Sequence, residues 1–309
     1  MNKKYLIGLV IGVVAVGLIA LGVNSGYFDK TSSTNNKLTV TTSFYPLYFF
    51  TSQIAGDKAD VTNITPSGSE PHDYEPTTAD MISIEKSKLL VLNGGHLEAW
   101  GDKFKDQLKG TGTTVVTAGE NLTTGIYTDE EGENAIDSHV WLDPRLAKVE
   151  ATKIEGALEK ADPENKSYYQ NNLNTLIAKL DQLDQEYKTG LDSCQLKEII
   201  TSHAAFGYLA KRYGLTQVAI AGLSPDAEPS PSQLADTAKF AKENNVKYIF
   251  FESLVSPKLS QTIASEVGAQ TMVLNPIEGL TPDEQKAGND YLSIMKDNLA
   301  NLRAALQCK

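Results

Sequence analysis

Between Tyr169 and Tyr187 apolar residues recur at alternating steps of four and three: Tyr169, Leu173, Leu176, Leu180, Leu183 and Tyr187. That spacing lays one apolar stripe along a single helix. Asp162 offers an N-cap, Pro163 the first helical position and Gly190 a stop, so the pattern predicts a helix over Asp162–Gly190. At ~1.5 Å per residue it would reach roughly 40 Å, enough to cross a whole globule. The stripe is too short for a coiled-coil arm to be the better reading, and α/β-patterned chain flanks it on both sides.

Ahead of it, β-branched and apolar runs predict strands at Leu38–Ser43, Val61–Thr65, Leu89–Leu92 and Thr113–Thr117. Helices are predicted at Tyr45–Ile54, Thr78–Ser87, Trp100–Leu108 and, with Asp143 as cap, Pro144–Ala161. The stretch from Ala118 to Asp137 reads as an acidic, mobile loop. Beyond the long helix the rhythm returns. Strands are expected at Lys197–Thr201, Gln217–Ile220, Val246–Phe251 and Thr271–Leu274, with helices at Phe206–Tyr213, Ser232–Asn244, Lys258–Val267 and Tyr291–Leu306. Alternating strands and helices imply parallel sheets covered on both faces. The expectation is therefore an α/β fold: two doubly wound parallel-sheet lobes, 38–161 and 192–309, bridged by one rigid helix at 162–191.

The N-terminus differs from all of this. Asn2-Lys3-Lys4 precedes an uncharged apolar run from Tyr5 to Val23, and a polar tether follows over 24–37. Residues 1–23 read as an export signal peptide or, since the run nears the ~20 residues that span a bilayer, an uncleaved membrane anchor. No cysteine follows the run, which excludes a lipid-modified N-terminal cysteine there. Either reading places the rest of the chain outside the cytoplasm. In that oxidising setting the two cysteines, Cys194 and Cys308, are expected to pair and pin the last helix onto the second lobe; two free buried thiols are the alternative. A net charge of −11 with no basic stripe argues against nucleic acid as a partner.

The chain has four histidines. His72, His139 and His203 lie where loops leave predicted strand ends or the acidic loop, and Glu278 follows the last strand of the second lobe. Ligands of open α/β sheets bind at the carboxyl ends of strands, so two groups from each lobe can converge in the cleft between them. Three imidazoles and one carboxylate suit Zn²⁺ in tetrahedral geometry; a second carboxylate would tilt the site toward Mn²⁺. Each histidine taken singly reads equally as a loop or core residue, and His96, after Gly94-Gly95, qualifies on placement alone. No compact zinc motif, nucleophile elbow or phosphate-cradling glycine loop is present.

Several longer stretches are more specific: Pro71-His72-Asp73-Tyr74-Glu75-Pro76, His139-Val140-Trp141-Leu142-Asp143-Pro144, Ser202-His203-Ala204-Ala205-Phe206-Gly207-Tyr208-Leu209, Ser224-Pro225-Asp226-Ala227-Glu228-Pro229-Ser230, Phe250-Phe251-Glu252 and Asn275-Pro276-Ile277-Glu278-Gly279-Leu280. In these, and in their order, the chain from Leu38 to Cys308 resembles the solute-binding protein of a zinc/manganese-type ABC importer. The resemblance implies a single metal held by His72, His139, His203 and Glu278, on the zinc branch because His203 stands where manganese-preferring members carry a carboxylate. It implies capture rather than catalysis, and delivery to an ABC permease with its ATPase subunit by a protein expected to be monomeric. Asp73, Asp143 and Trp141 are candidates to orient the imidazoles, though capping and packing account equally for the last two; Glu252 and Glu228 read as hinge or cap residues. Where many zinc-binding relatives have a histidine-rich loop, Thr128–Asp137 is acidic and carries none. A secreted zinc hydrolase and a surface adhesin with structural zinc are the rival readings.

Overall fold

The computed structural model describes residues 37–128 and 134–309. The expected signal or anchor, nearly all of the tether, and the tip of the acidic loop lie outside the described residues. Among those described, no helix is long and apolar enough to cross a membrane.

In chain order the first lobe comprises β1 (Leu38–Thr42), α1 (Tyr45–Ala55), β2 (Ala59–Asn63), α2 (Thr78–Lys86), β3 (Leu89–Leu92), α3 (Gly101–Gln107) and β4 (Thr114–Thr117). An antiparallel hairpin of β5 (Ile126–Thr128) and β6 (Asn134–Ile136) follows, then α4 (Pro144–Ala161). The long helix α5 (Lys166–Leu191) leads into β7 (Glu198–Thr201), α6 (Gly207–Tyr213), β8 (Thr216–Ala219), α7 (Pro231–Glu243), β9 (Tyr248–Phe251), α8 (Lys258–Val267), β10 (Gln270–Val273), α9 (Pro282–Ala287) and α10 (Tyr291–Ala305).

The two four-stranded sheets run β2-β1-β3-β4 and β10-β9-β7-β8, all pairs parallel. Counted within its own lobe, each sheet has the order second, first, third, fourth. Each therefore has a switch point between its first and third strands, where connections leave in opposite directions and a crevice opens.

Strand side chains alternate between two buried layers, as a sheet covered on both faces requires. Leu89 and Val91 enter one apolar core, while Leu90 and Leu92 join Trp100, Phe104 and Leu108 in another. In the second lobe Ile199 and Phe250 face the first core, and Ile200 and Ile249 face a third with Ala238 and Ile263. The first of these cores is continuous from Val40 in one lobe to Leu274 in the other.

Helix α5 explains that continuity. Every residue of its predicted stripe is buried, and Leu191 extends the stripe by one step. The helix packs on α1 and α4 of the first lobe and on α10 and α6 of the second. Its start is not where the sequence pattern put it. Pro163–Asn165 form a 3₁₀ turn, and the α-helix begins at Lys166. The Asp162 carboxylate accepts hydrogen bonds from Asn165 Nδ2 (2.7 Å) and Tyr169 OH (2.6 Å) instead of capping backbone amides.

Two further elements depart from expectation. The acidic stretch after Ala118 is not all loop, since it pairs Ile126 with Ile136 and Thr128 with Asn134 in the short hairpin. Helix α9 was not expected, although Thr281 and Glu284 form a reciprocal capping box at its start. Cys194 and Cys308 form a disulfide that ties the chain end to the entry of β7.

Candidate metal site

Each of the four expected residues sits on a loop that leaves the carboxyl end of a sheet or the turn before α4. His72 lies in the long connection after β2, and His203 stands two residues beyond β7. His139 opens the 3₁₀ turn Val140–Leu142. Glu278 lies five residues after β10, just past Ile277, which has φ 60°. A left-handed β-branched residue stores strain of order 1–3 kcal/mol and persists only where its surroundings over-determine it. Here Asn275 Oδ1 accepts from Ile277 N (2.7 Å), Asn298 grips both ends of the Asn275 backbone, and Trp141 Nε1 donates to Pro276 O (2.7 Å). Ile277 itself is fully buried. The strained turn aims the Glu278 carboxylate inward.

One ligand atom from each of His72, His139, His203 and Glu278 falls within 4.8 Å of all the others. Glu278 Oε1 lies 3.3 Å from His72 Nε2, 3.1 Å from His139 Nε2 and 3.3 Å from His203 Nε2. His139 Nε2 is 3.3 Å from the Nε2 atoms of both other histidines. Metal–ligand bonds of ~2.0–2.1 Å in a tetrahedron give donor separations of about 3.3–3.4 Å. Five of the six donor separations, at 3.1–3.3 Å, lie at or just below that edge length.

The imidazoles are oriented from behind. Asp137 Oδ1 accepts from His139 Nδ1 (2.9 Å) and from His139 N (3.0 Å). Glu252 Oε1 accepts from His203 Nδ1 (2.6 Å) and from the Ser202 hydroxyl. An N–H held on Nδ1 leaves the Nε2 lone pair pointing at the centre. His139, His203 and Glu278 are buried; His72 is the partly accessible member, at 11% of its side-chain surface.

The charges are mutually dependent. Burial opposes protonation of His139, but hydrogen bonds to Asp137 and Glu278 outweigh it and raise its pKa. For His203 burial is likewise overcome, first by Glu252 and then by Glu278, and the pKa lies well above the ordinary value. Burial pushes the Glu278 carboxyl up, yet His203, His139 and His72 together hold it well below the usual carboxylate range. Glu70 is pushed up to about 9, by burial and then by Glu278; its Oε1 accepts from His72 N (3.3 Å).

The structure brings the four expected residues together, and the carboxylates behind their imidazoles are Asp137 and Glu252 rather than Asp73 or Asp143. Glu252, read as a hinge or cap, is the partner of His203, and Asp137, only part of an acidic loop in the sequence reading, is the partner of His139. Asp143 does not touch an imidazole. It caps α4 and pairs with Arg212 Nη2 at 2.7 Å. Trp141 supports His139 by ring contact, with centroids 5.2 Å apart. Asp73 is exposed and its carboxyl meets that of Asp226, which is raised as a result. His96 and Glu228 are exposed, and neither belongs to the cluster. Asp137 could have been found from its position two residues before His139; Glu252 is 49 residues from its partner, and only the strand order joins them.

With this geometry in hand, comparison with known proteins is decisive. Residues 40–305 match the family model described as zinc-uptake complex component A, periplasmic. The chain belongs to this family. It is 44% identical over 319 residues, covering both proteins end to end, to the high-affinity zinc uptake system protein ZnuA of Bacillus subtilis. Among solved structures, the Zn(II)-bound ZnuA-like domain of Streptococcus pneumoniae AdcA superposes with a TM-score of 0.75 at 40% identity, over 87% of this chain and 99% of that one. The laminin-binding protein Lmb of Streptococcus agalactiae, a bifunctional protein with adhesin and metal-transporting activity, gives a TM-score of 0.79 at 35% identity, over 87% of this chain and 99% of that one. The chain spans 56% of the length of the zinc-binding AdcA proteins of Streptococcus pyogenes.

Proposed function

We propose that this chain captures one Zn²⁺ ion outside the cytoplasm through His72, His139, His203 and Glu278 and presents it as cargo to an ABC permease driven by its ATPase subunit. The observation that carries the reading is the set of donor separations, 3.1–3.3 Å from Glu278 Oε1 to three imidazole nitrogens. Neutral imidazoles and one carboxylate favour zinc, with Mn²⁺ the less suited ion. Three imidazole ligands and one anion leave a bound complex of charge +1, already partly offset by Asp137 and Glu252 behind the rings. The membership of the zinc-uptake family supports transport as the purpose of binding.

Two lobes holding two donors each supply the means of capture. Release requires the donors to separate, and His72, on its long connection and partly exposed, is the member with the fewest restraints. The N-terminal segment, as signal or anchor, would keep the protein at the outer face of the membrane, and the lobe limits at 161 and 192 belong to the same proposal. A hydrolase would need an open coordination position for water; Glu278 as fourth donor closes it. The test is competitive titration of zinc and manganese against a chromophoric chelator. Tight one-to-one zinc binding that His139→Ala abolishes supports the reading, and unaltered binding by that variant removes it.

A further inference from the structure

The two lobes share more than strand order. In each, a serine follows the first strand directly: Ser43 after β1 and Ser202 after β7. In each, the residue directly after the third strand lies across the switch point: Asn93 after β3 and Glu252 after β9. In the second lobe the glutamate bonds both its serine and the imidazole of His203. In the first lobe the position is an asparagine, and the carboxylate comes instead from Glu98. Its Oε1 accepts from Ser43 Oγ (2.5 Å) and Asn93 N (2.7 Å), and its Oε2 from Gly94 N (2.9 Å). Asn93 Nδ2 then donates to Ser138 O (3.0 Å) and Gly94 O (3.1 Å).

We infer that Asn93, held by Glu98, is a positioning residue for His139 that acts through the Ser138–His139 peptide, while Asp137 holds the ring as Glu252 holds that of His203. The inference rests on His139 being a metal ligand. The carbonyl of Ser138 and the N–H of His139 belong to one peptide group. Asn93 grips its oxygen, and Asp137 grips its N–H at 3.0 Å while also taking the imidazole Nδ1–H. The peptide is thus fixed at both ends and the ring is fixed relative to it. Asn93 is fully buried, and its Oδ1 has no partner, so the amide is oriented wholly by what its nitrogen donates. Glu98, 9% exposed, spends its acceptors on the residues that carry Asn93. A buried carboxylate surrounded by backbone donors is a rigid anchor.

The test uses the full chain with Asn93→Asp, which keeps the shape but turns the donor toward Ser138 O into an acceptor, and with Glu98→Gln. Zinc affinity and the visible absorption of the Co²⁺-loaded protein are read alongside the melting temperature of the metal-free form. Loss of a ligand's outer partner costs about 10–100-fold in metal affinity. The expected result is a loss in that range with a displaced or weakened Co²⁺ band, in at least one variant that still folds. Wild-type affinity and an unchanged Co²⁺ spectrum in a folded variant would overturn the inference, even if the melting temperature fell. Failure of both variants to fold would also count against it, by making the pair scaffold alone. A wild-type protein that binds no zinc, or a His139→Ala variant that binds it unchanged, would instead sink the metal reading beneath it.

Discussion

Replacing Glu252 by Gln separates the charge behind His203 from the geometry behind it. Gln keeps an acceptor for His203 Nδ1–H, now 2.6 Å from the carboxylate, and for the Ser202 hydroxyl, so the ring need not rotate. What disappears is a buried negative charge opposite the metal. Outer partners of this kind are worth about 10–100-fold in metal affinity, or about 1.4–2.7 kcal/mol. The pH dependence has a definite sign. Glu252 is the largest of the influences that raise the His203 pKa, against the opposing effect of burial. Zinc must displace that proton, so wild-type affinity falls as pH drops through the raised pKa. In Glu252→Gln the imidazole holds its proton less firmly, and the fall begins at lower pH. The gap between the proteins should therefore be wider at the alkaline end of a titration from pH 8.5 to pH 6 than at its acidic end. Competition against a chromophoric zinc chelator at both pH values measures it. Equal affinities at pH 8.5, or a gap that widens on acidification, would refute the reasoning.

Other expectations concern the scaffold. Glu150 on α4 is fully buried with neither carboxylate oxygen bonded, and burial raises its pKa from 4.5 to about 8. Its unfolded form ionises first, so zinc-free wild-type protein should lose on the order of 4 kcal/mol of stability between pH 4.5 and 8 that Glu150→Gln does not lose. Urea unfolding at the two ends of that range reads the difference, and parallel pH profiles would contradict it. The Cys194–Cys308 disulfide closes a loop with a sequence separation of 114. Cys194→Ser with Cys308→Ser should lower stability by about 3–5 kcal/mol in chemical unfolding and leave zinc affinity unchanged. Solution scattering should show little compaction on zinc loading, because α5, the shared core and the Arg212–Asp143 pair join the lobes; a large decrease in radius of gyration would refute this.

Periodicity alone disclosed most of the frame. The stripe from Tyr169 to Tyr187 is buried, as a four-and-three repeat over five turns flanked by α/β-patterned chain implies. The start of α5 is less legible, since Pro163 suits the first position of a 3₁₀ turn as well as that of an α-helix, and Asp162 bonds Asn165 and Tyr169 side chains rather than backbone amides. The β5–β6 hairpin has three residues per strand in a polar setting, too few for alternation to register. Helix α9 carries its own local signal in the capping box of Thr281-Pro282-Asp283-Glu284. The site divides in the same way. His72, His139, His203 and Glu278 sit in stretches whose likeness to a known family is strong, but Glu252 and Asn93 acquire their roles only when parallel strands place them across switch points. No local pattern encodes that neighbourhood.

The most direct test is a crystal of the zinc-loaded protein measured on both sides of the zinc absorption edge. The account predicts one anomalous peak per chain, ~2.0–2.1 Å from the Nε2 atoms of His72, His139 and His203 and from Oε1 of Glu278. A peak elsewhere, or no peak among these four side chains, would contradict it.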